Sequence, residues 1–238
     1  MKELKRLGIL TALLLFLSPA RVCAGPAEDA LDAGLNLHDA GKLEEAIRQY
    51  DQAIQSNPRL ANAYYNRGNA YYDLGDDKRA IKDYSEVLRL TPKDADAYYN
   101  RGNAYRRLEH YRAALRDYNA AIGLKREDVA IYVNRGSIYY GLGRYEAAAK
   151  DYTEAIRLGP KSPDAYYNRA NAYLKMKKTE RAIEDYNQAL ALNPDLVEAH
   201  YNRGIAYAGV GQHERAVQDY SKALSFNPKS AEAYYNRG

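Results

Sequence analysis

Residues 61–94 read ANAYYNRGNAYYDLGDDKRAIKDYSEVLRLTPKD, and residues 95–128 repeat their opening almost letter for letter and their spacing throughout: ADAYYNRGNAYRRLEHYRAALRDYNAAIGLKRED. The tripeptide Asn-Arg-Gly returns at Asn66, Asn100, Asn134, Asn202 and Asn236, with Asn-Arg-Ala at Asn168. Tyr50, Tyr84, Tyr118, Tyr152, Tyr186 and Tyr220 keep the same step of 34 residues. A period of that length, held without insertion, means a stacked array in which each unit buries its apolar face against the next. Counting from Ala61, the units are 27–60, 61–94, 95–128, 129–162, 163–196 and 197–230, with 231–238 opening a seventh.

Each unit carries two helical stretches. In the second unit they are predicted over 62–74 and 78–90, with Gly75-Asp76-Asp77 between them and Thr91-Pro92 after them, because Gly and Pro mark where helices stop. Tyr64, Gly68 and Tyr71 fall on one face of the first stretch, and Ala80, Tyr84 and Val87 on one face of the second. Neither stretch is long enough to hold alone in water, so pairing and stacking must stabilise both. Pro58, Pro92, Pro160, Pro194 and Pro228 close their units; Lys125-Arg126 stands at that place in the third, where a looser boundary is expected.

The pattern resembles the tetratricopeptide repeat. Tyr64, Gly68, Tyr71, Ala80, Tyr84 and Pro92 match that family's motif, as do Tyr98, Gly102, Tyr105, Ala114, Tyr118 and Ala121. The resemblance covers residues 27–238. It implies an all-α, right-handed superhelical solenoid of helix-turn-helix hairpins whose first helices line a concave groove. One departure is informative. The residue before the motif Gly, usually Leu, is here Arg67, Arg101, Arg135, Arg169 or Arg203. Sixteen residues on stand Asp83, Asp117, Asp151, Asp185 and Asp219, while the first unit has Ala33 and Gln49, losing both charges together. That joint loss predicts an Arg–Asp bridge within each unit; the alternative is two independent surface charges.

The first 24 residues read differently. Lys2, Lys5 and Arg6 precede an apolar run from Leu7 to Leu17, and Val22-Cys23-Ala24 stands before Gly25, the layout of a secretory signal cleaved after Ala24. A retained anchor is the alternative, although a bilayer-spanning helix needs about 20 apolar residues. A lipoprotein signal ending at Cys23 is a second, poorly matched by Ala20-Arg21-Val22. Residues 1–24 hold +3 of the formal +4 charge, which leaves +1 for the rest and no basic face for nucleic acid. Cys23 is the only cysteine.

Enzyme signatures are missing. His213-Glu214-Arg215-Ala216-Val217 lacks the second histidine of a zinc motif, there is no phosphate loop, and the carboxylates recur with the repeat. The expectation is a protein without catalytic residues, cofactor or metal. The groove holds the candidate site: Asn66, Asn100, Asn134, Asn168 and Asn202 in one row, Asn69, Asn103 and Asn171 in a second, and Tyr65, Tyr99, Tyr167, Tyr201, Tyr72 and Tyr140 beside them. An Asn amide both donates and accepts, so it can pair with a peptide bond whatever its side chain. Tyr adds flat apolar area at low entropic cost.

The arrangement is similar to the asparagine ladder of O-linked N-acetylglucosamine transferases; the alternative is that the first row only joins adjacent repeats. The family's chaperone-tail clamp needs cations where Tyr65, Tyr99, Asn62, Asp96, Asn100 and Asn134 stand, and only Arg106, Arg107 and Lys175 add positive charge nearby. The sequence thus points to an exported, periplasmic or secreted scaffold that binds a polypeptide, in cell-envelope assembly or secretion. A rival reading is the substrate-recognition part of a larger enzyme such as a glycosyltransferase, since no polar capping helix closes the array. A third is self-association through that uncapped C-terminal end.

Overall fold

The computed structural model describes residues 25–124 and 128–238. The expected leader, with Cys23, and the Lys125-Arg126 boundary lie outside the described residues. Among those described there are helices and no strands. Six hairpins follow one another: α1 (Pro26–Asp39) with α2 (Leu43–Ser56), α3 (Ala61–Asp73) with α4 (Asp77–Leu90), α5 (Ala95–Arg107) with α6 (Tyr111–Leu124), α7 (Val129–Gly141) with α8 (Tyr145–Leu158), α9 (Pro163–Lys175) with α10 (Thr179–Leu192), and α11 (Val197–Gly209) with α12 (His213–Phe226). The short α13 (Ala231–Arg237) follows. None of these helices is long and apolar enough to cross a membrane.

The predicted helices of the second unit begin one residue later than the observed ones; at α4 the start is set by Asp76, which caps it by accepting the Arg79 amide at 3.0 Å. The turn inside a hairpin needs a left-handed residue. Gly75 supplies it with φ 83°, but Glu109 (58°) and Lys177 (57°) occupy the same turn in the third and fifth units at a steric cost.

Every helix packs on its neighbours in sequence. Consecutive first helices (α1, α3, α5, α7, α9, α11) also touch one another, which brings them to the inside of the curve. The core between the layers is alanine and tyrosine. Ala46, Ala63, Ala80, Ala97, Ala114 and Ala182 are fully buried, and so are the Tyr50, Tyr118 and Tyr186 rings. Each ring lies over the small residue of its own first helix: a Cβ added to Gly68 would sit 2.9 Å from the Tyr84 ring. This close approach is what the repeated Gly is for.

Burial raises the phenol pKa of Tyr84, Tyr118 and Tyr186, and pushes Tyr50 up to about 12, with the Asp39 charge adding to it. A tyrosine whose folded pKa exceeds its unfolded value of about 10 contributes stability in full below pH 10. That contribution is lost as pH rises through the folded value. Urea midpoints are therefore expected to hold steady up to about pH 10 and fall steeply towards pH 12. A flat profile across that window would contradict burial of the rings.

Candidate functional site: the concave groove

The first helices present the two asparagine rows along the inside of the curve, and the rows are joined across units. Asn100 donates through Nδ2 to the Tyr65 hydroxyl at 2.9 Å and to Asn69 Oδ1 at 3.2 Å, both in the preceding unit. Asn134 does the same to Tyr99 (3.1 Å) and Asn103 (3.0 Å), and Asn202 to Tyr167 (3.2 Å) and Asn171 (3.1 Å). Asn236 reaches Tyr201 at 2.8 Å; Ile205 stands where its second acceptor would be. The second-row oxygens also accept from the core tyrosines: Tyr84 to Asn69 at 2.8 Å, Tyr118 to Asn103 at 2.7 Å and Tyr186 to Asn171 at 2.5 Å.

Of the two readings of the first row, joining adjacent repeats describes the amide nitrogens of Asn100, Asn134 and Asn202. Their Oδ1 atoms make no hydrogen bond among the described residues. Asn66 turns back onto Asn62 O at 2.8 Å.

The tyrosines form the walls. Tyr65, Tyr99, Tyr167 and Tyr201 pack against Tyr84, Tyr118, Tyr186 and Tyr220 at ring distances of 5.8–6.1 Å. Tyr72 lies under the Arg107 guanidinium at 4.2 Å, and Tyr140 meets Tyr145 edge-on at 5.3 Å. A cavity of about 290 Å³ opens where Asn69, Tyr72, Asp73, Asn100 and Asn103 converge with His38. His38 Nε2 and Asp73 Oδ2 are 2.9 Å apart there.

The other face of the first helices carries the charges. Arg67 grips Asp83 with two hydrogen bonds, Nε to Oδ2 at 2.8 Å and Nη2 to Oδ1 at 2.7 Å. The structure brings Arg101 to Asp117, Arg135 to Asp151, Arg169 to Asp185 and Arg203 to Asp219 in the same way. Hydrogen bonding to Asp117 and Asp185 holds the Arg101 and Arg169 guanidinium groups above the ordinary arginine range, against the cost of burial.

Sequence reasoning missed the third arm. Nη1 of each arginine reaches back 16 residues to a polar acceptor in the preceding unit: Asp51, Ser85, Asn119, Thr153 and Asn187. The signal was available, since that place always holds a small hydroxyl, amide or carboxylate. Each arginine is therefore a staple within a repeat and between repeats. No group of His, Cys, Asp or Glu with the makings of a metal site occurs among the described residues.

Models of the tetratricopeptide repeat match residues 95–128, 163–196 and 197–230, and models of the TPR repeat match 34–75, 68–109 and 136–177. The chain belongs to the tetratricopeptide repeat family. Solved structures share the solenoid. YrrB, described as a TPR protein with an unusual peptide-binding site, superposes with a TM-score of 0.71 at 24% identity, covering 78% of this chain and 96% of its own. MamA gives 0.68 at 24% identity over 71% of this chain and 92% of its own. PilF of Pseudomonas aeruginosa gives 0.73 at 16% identity over 88% and 96%. Likeness at these identities carries the fold alone. No functionally curated protein matches the chain.

Proposed function

We propose that this TPR protein is an exported, non-catalytic scaffold that binds an extended polypeptide segment along its concave groove, in the service of cell-envelope assembly or secretion. The observation that carries the reading is the row of asparagine Oδ1 atoms, one in each unit from the second on and without partners among the described residues, set between tyrosine rings. An extended chain presents backbone N–H donors at regular intervals, and tyrosine walls exclude the water that would compete for them. The likeness to YrrB, itself described as having a peptide-binding site, supports a polypeptide as ligand. The leader layout of residues 1–24 supports export.

One preparation tests both halves. Protein recovered from the exporting cell's envelope fraction is expected to have the intact mass of a chain beginning at Gly25, and to select peptides from a random array. Replacing Asn100, Asn134 and Asn202 together by Ala should abolish that selection. It should also lower the urea midpoint, since each amide gives up two neutral hydrogen bonds worth about 1 kcal/mol apiece. Asn66→Ala, which breaks no bond between repeats, should leave stability within about 0.5 kcal/mol. An uncleaved chain or an acylated Cys23 would rule out the export half. Normal selection by the triple variant would move the ligand to another face.

A further inference from the structure

The ladder has a gap. Asn100, Asn134, Asn202 and Asn236 each find a Tyr on the preceding first helix, and the first three also find an Asn there. Before Asn168 those places hold Val133 and Ser137. Neither offers what Tyr99 and Asn103 offer Asn134, and Asn168 makes no side-chain hydrogen bond among the described residues. Asn66 faces the same loss, behind Leu31 and Leu35, but satisfies itself on Asn62 O. Asn168 does not, so it keeps its amide donors free halfway along the groove.

A second irregularity adjoins the first. Arg106 occupies the groove place held by His38, Tyr72 and Tyr140 in other units. The arginines of the staples, and Arg107 on Asp77 at 3.1 Å, all have carboxylates. Arg106 has no carboxylate among the described residues. It lies against the Tyr118 hydroxyl, and its Nε is buried with no hydrogen-bond partner. With Tyr111, Ser137, Ile138 and Gly141 it lines a cavity of about 200 Å³. Ser137 sits between the two irregularities: it borders the Arg106 cavity, and it holds the ladder place that Asn168 would bond. A part-buried cation without a counter-ion on one side of Ser137, and a free amide on the next first helix beyond it, are unmet demands of complementary kinds.

We propose that this gap is where the groove anchors its ligand, and that it takes a carboxylate carried on an extended peptide. Arg106 pairs with the carboxylate, and Asn168 donates to a nearby main-chain carbonyl. The inference rests on the groove reading and adds to it a place and a chemical preference. The positions are not those of the chaperone-tail clamp, whose cation places hold Tyr65, Tyr99 and asparagines in this chain.

The test uses the full mature chain and arrays of random short peptides, one set blocked at both ends and one with free C-termini. Acidic residues are expected to be enriched among the blocked binders if the carboxylate is a side chain; binding confined to the unblocked set would assign it to a C-terminus. For a selected peptide, Arg106→Gln should lose about ten- to a hundredfold in affinity by fluorescence anisotropy, the worth of a charge-assisted hydrogen bond. It should lose nothing against the same peptide with its carboxylate made an amide. Asn168→Ala should weaken both peptides, and neither variant should lower the urea midpoint. Blocked binders without acid preference, or an Arg106→Gln affinity equal to wild type, would overturn the anchor and leave the groove reading standing. An array with no binders at all would overturn both.

Discussion

Asp151→Ala is expected to cost about 3–5 kcal/mol, because it strands a part-buried guanidinium rather than merely deleting a contact. The Asp151 side chain is only 7% exposed and takes two bonds from Arg135, at 2.8 and 2.6 Å. Without it, Arg135 keeps the single bond to Asn119 in the preceding unit. Arg135→Ala should cost a similar amount, since it leaves a buried carboxylate with no cation. The double replacement should lose less than the sum, with a coupling of about 0.5–3 kcal/mol.

Unit one already shows that the hairpin forms without the pair, with Ala33 and Gln49 at the two places. What the fold does not tolerate cheaply is one charge alone. A urea double-mutant cycle reads the coupling directly, and additive losses would mean that the two charges act independently. The position adds a second observable. Stability in a solenoid is a sum of unit and interface terms, and Arg135 serves both kinds in mid-array. Arg135→Ala should therefore broaden the urea transition more than Asp151→Ala does, because it also cuts the tie to Asn119.

The fold was legible because repetition averages out local ambiguity. One copy of Tyr64, Gly68 and Tyr71 is weak evidence for a helix face; the same spacing in every unit is not. The Arg–Asp partners were legible for a related reason: unit one lacks both at once, and that is covariation within a single chain. For the asparagine amides the sequence left two readings open, a peptide ligand or the adjacent repeat, and the geometry explains why. The bond from Asn100 to Tyr65 joins residues 35 apart, one more than the period, and the repeat pattern alone does not fix which acceptor across the unit boundary an amide reaches. The joint change at Val133 and Ser137 carried the same kind of signal as Ala33 and Gln49. Glu109 and Lys177 show the converse, since the packing of their hairpins overrides the preference of that turn for Gly.

Tyr118→Ala should match the charge variants in cost, at about 3–5 kcal/mol for a large aromatic truncated in the core. The Tyr118 ring has no exposed surface, and it fills the space that Gly102 leaves open: a Cβ there would lie 2.8 Å from Cε1 and 3.0 Å from Cδ1. Its hydroxyl also donates to Asn103 Oδ1, the atom that receives the Asn134 amide from the next unit. Truncation thus opens a cavity inside one hairpin and loosens its joint to the following one. Tyr118→Phe separates the two effects, since it removes only the hydroxyl and should cost about 1 kcal/mol.

The opposite face of the contact gives a second handle. Gly102→Val overfills the same space and should cost about 1–3 kcal/mol in the native background. Gly102→Ala should be milder, because unit five already carries Ala170 over a fully buried Tyr186 and still closes. In the Tyr118→Ala background the added methyl groups enter the cavity, so Gly102→Val should cost less than it does alone. Urea unfolding of the four combinations measures this. Equal losses for Tyr118→Ala and Tyr118→Phe would mean that the ring contributes little beyond its hydroxyl, and the glycine under it would need another explanation.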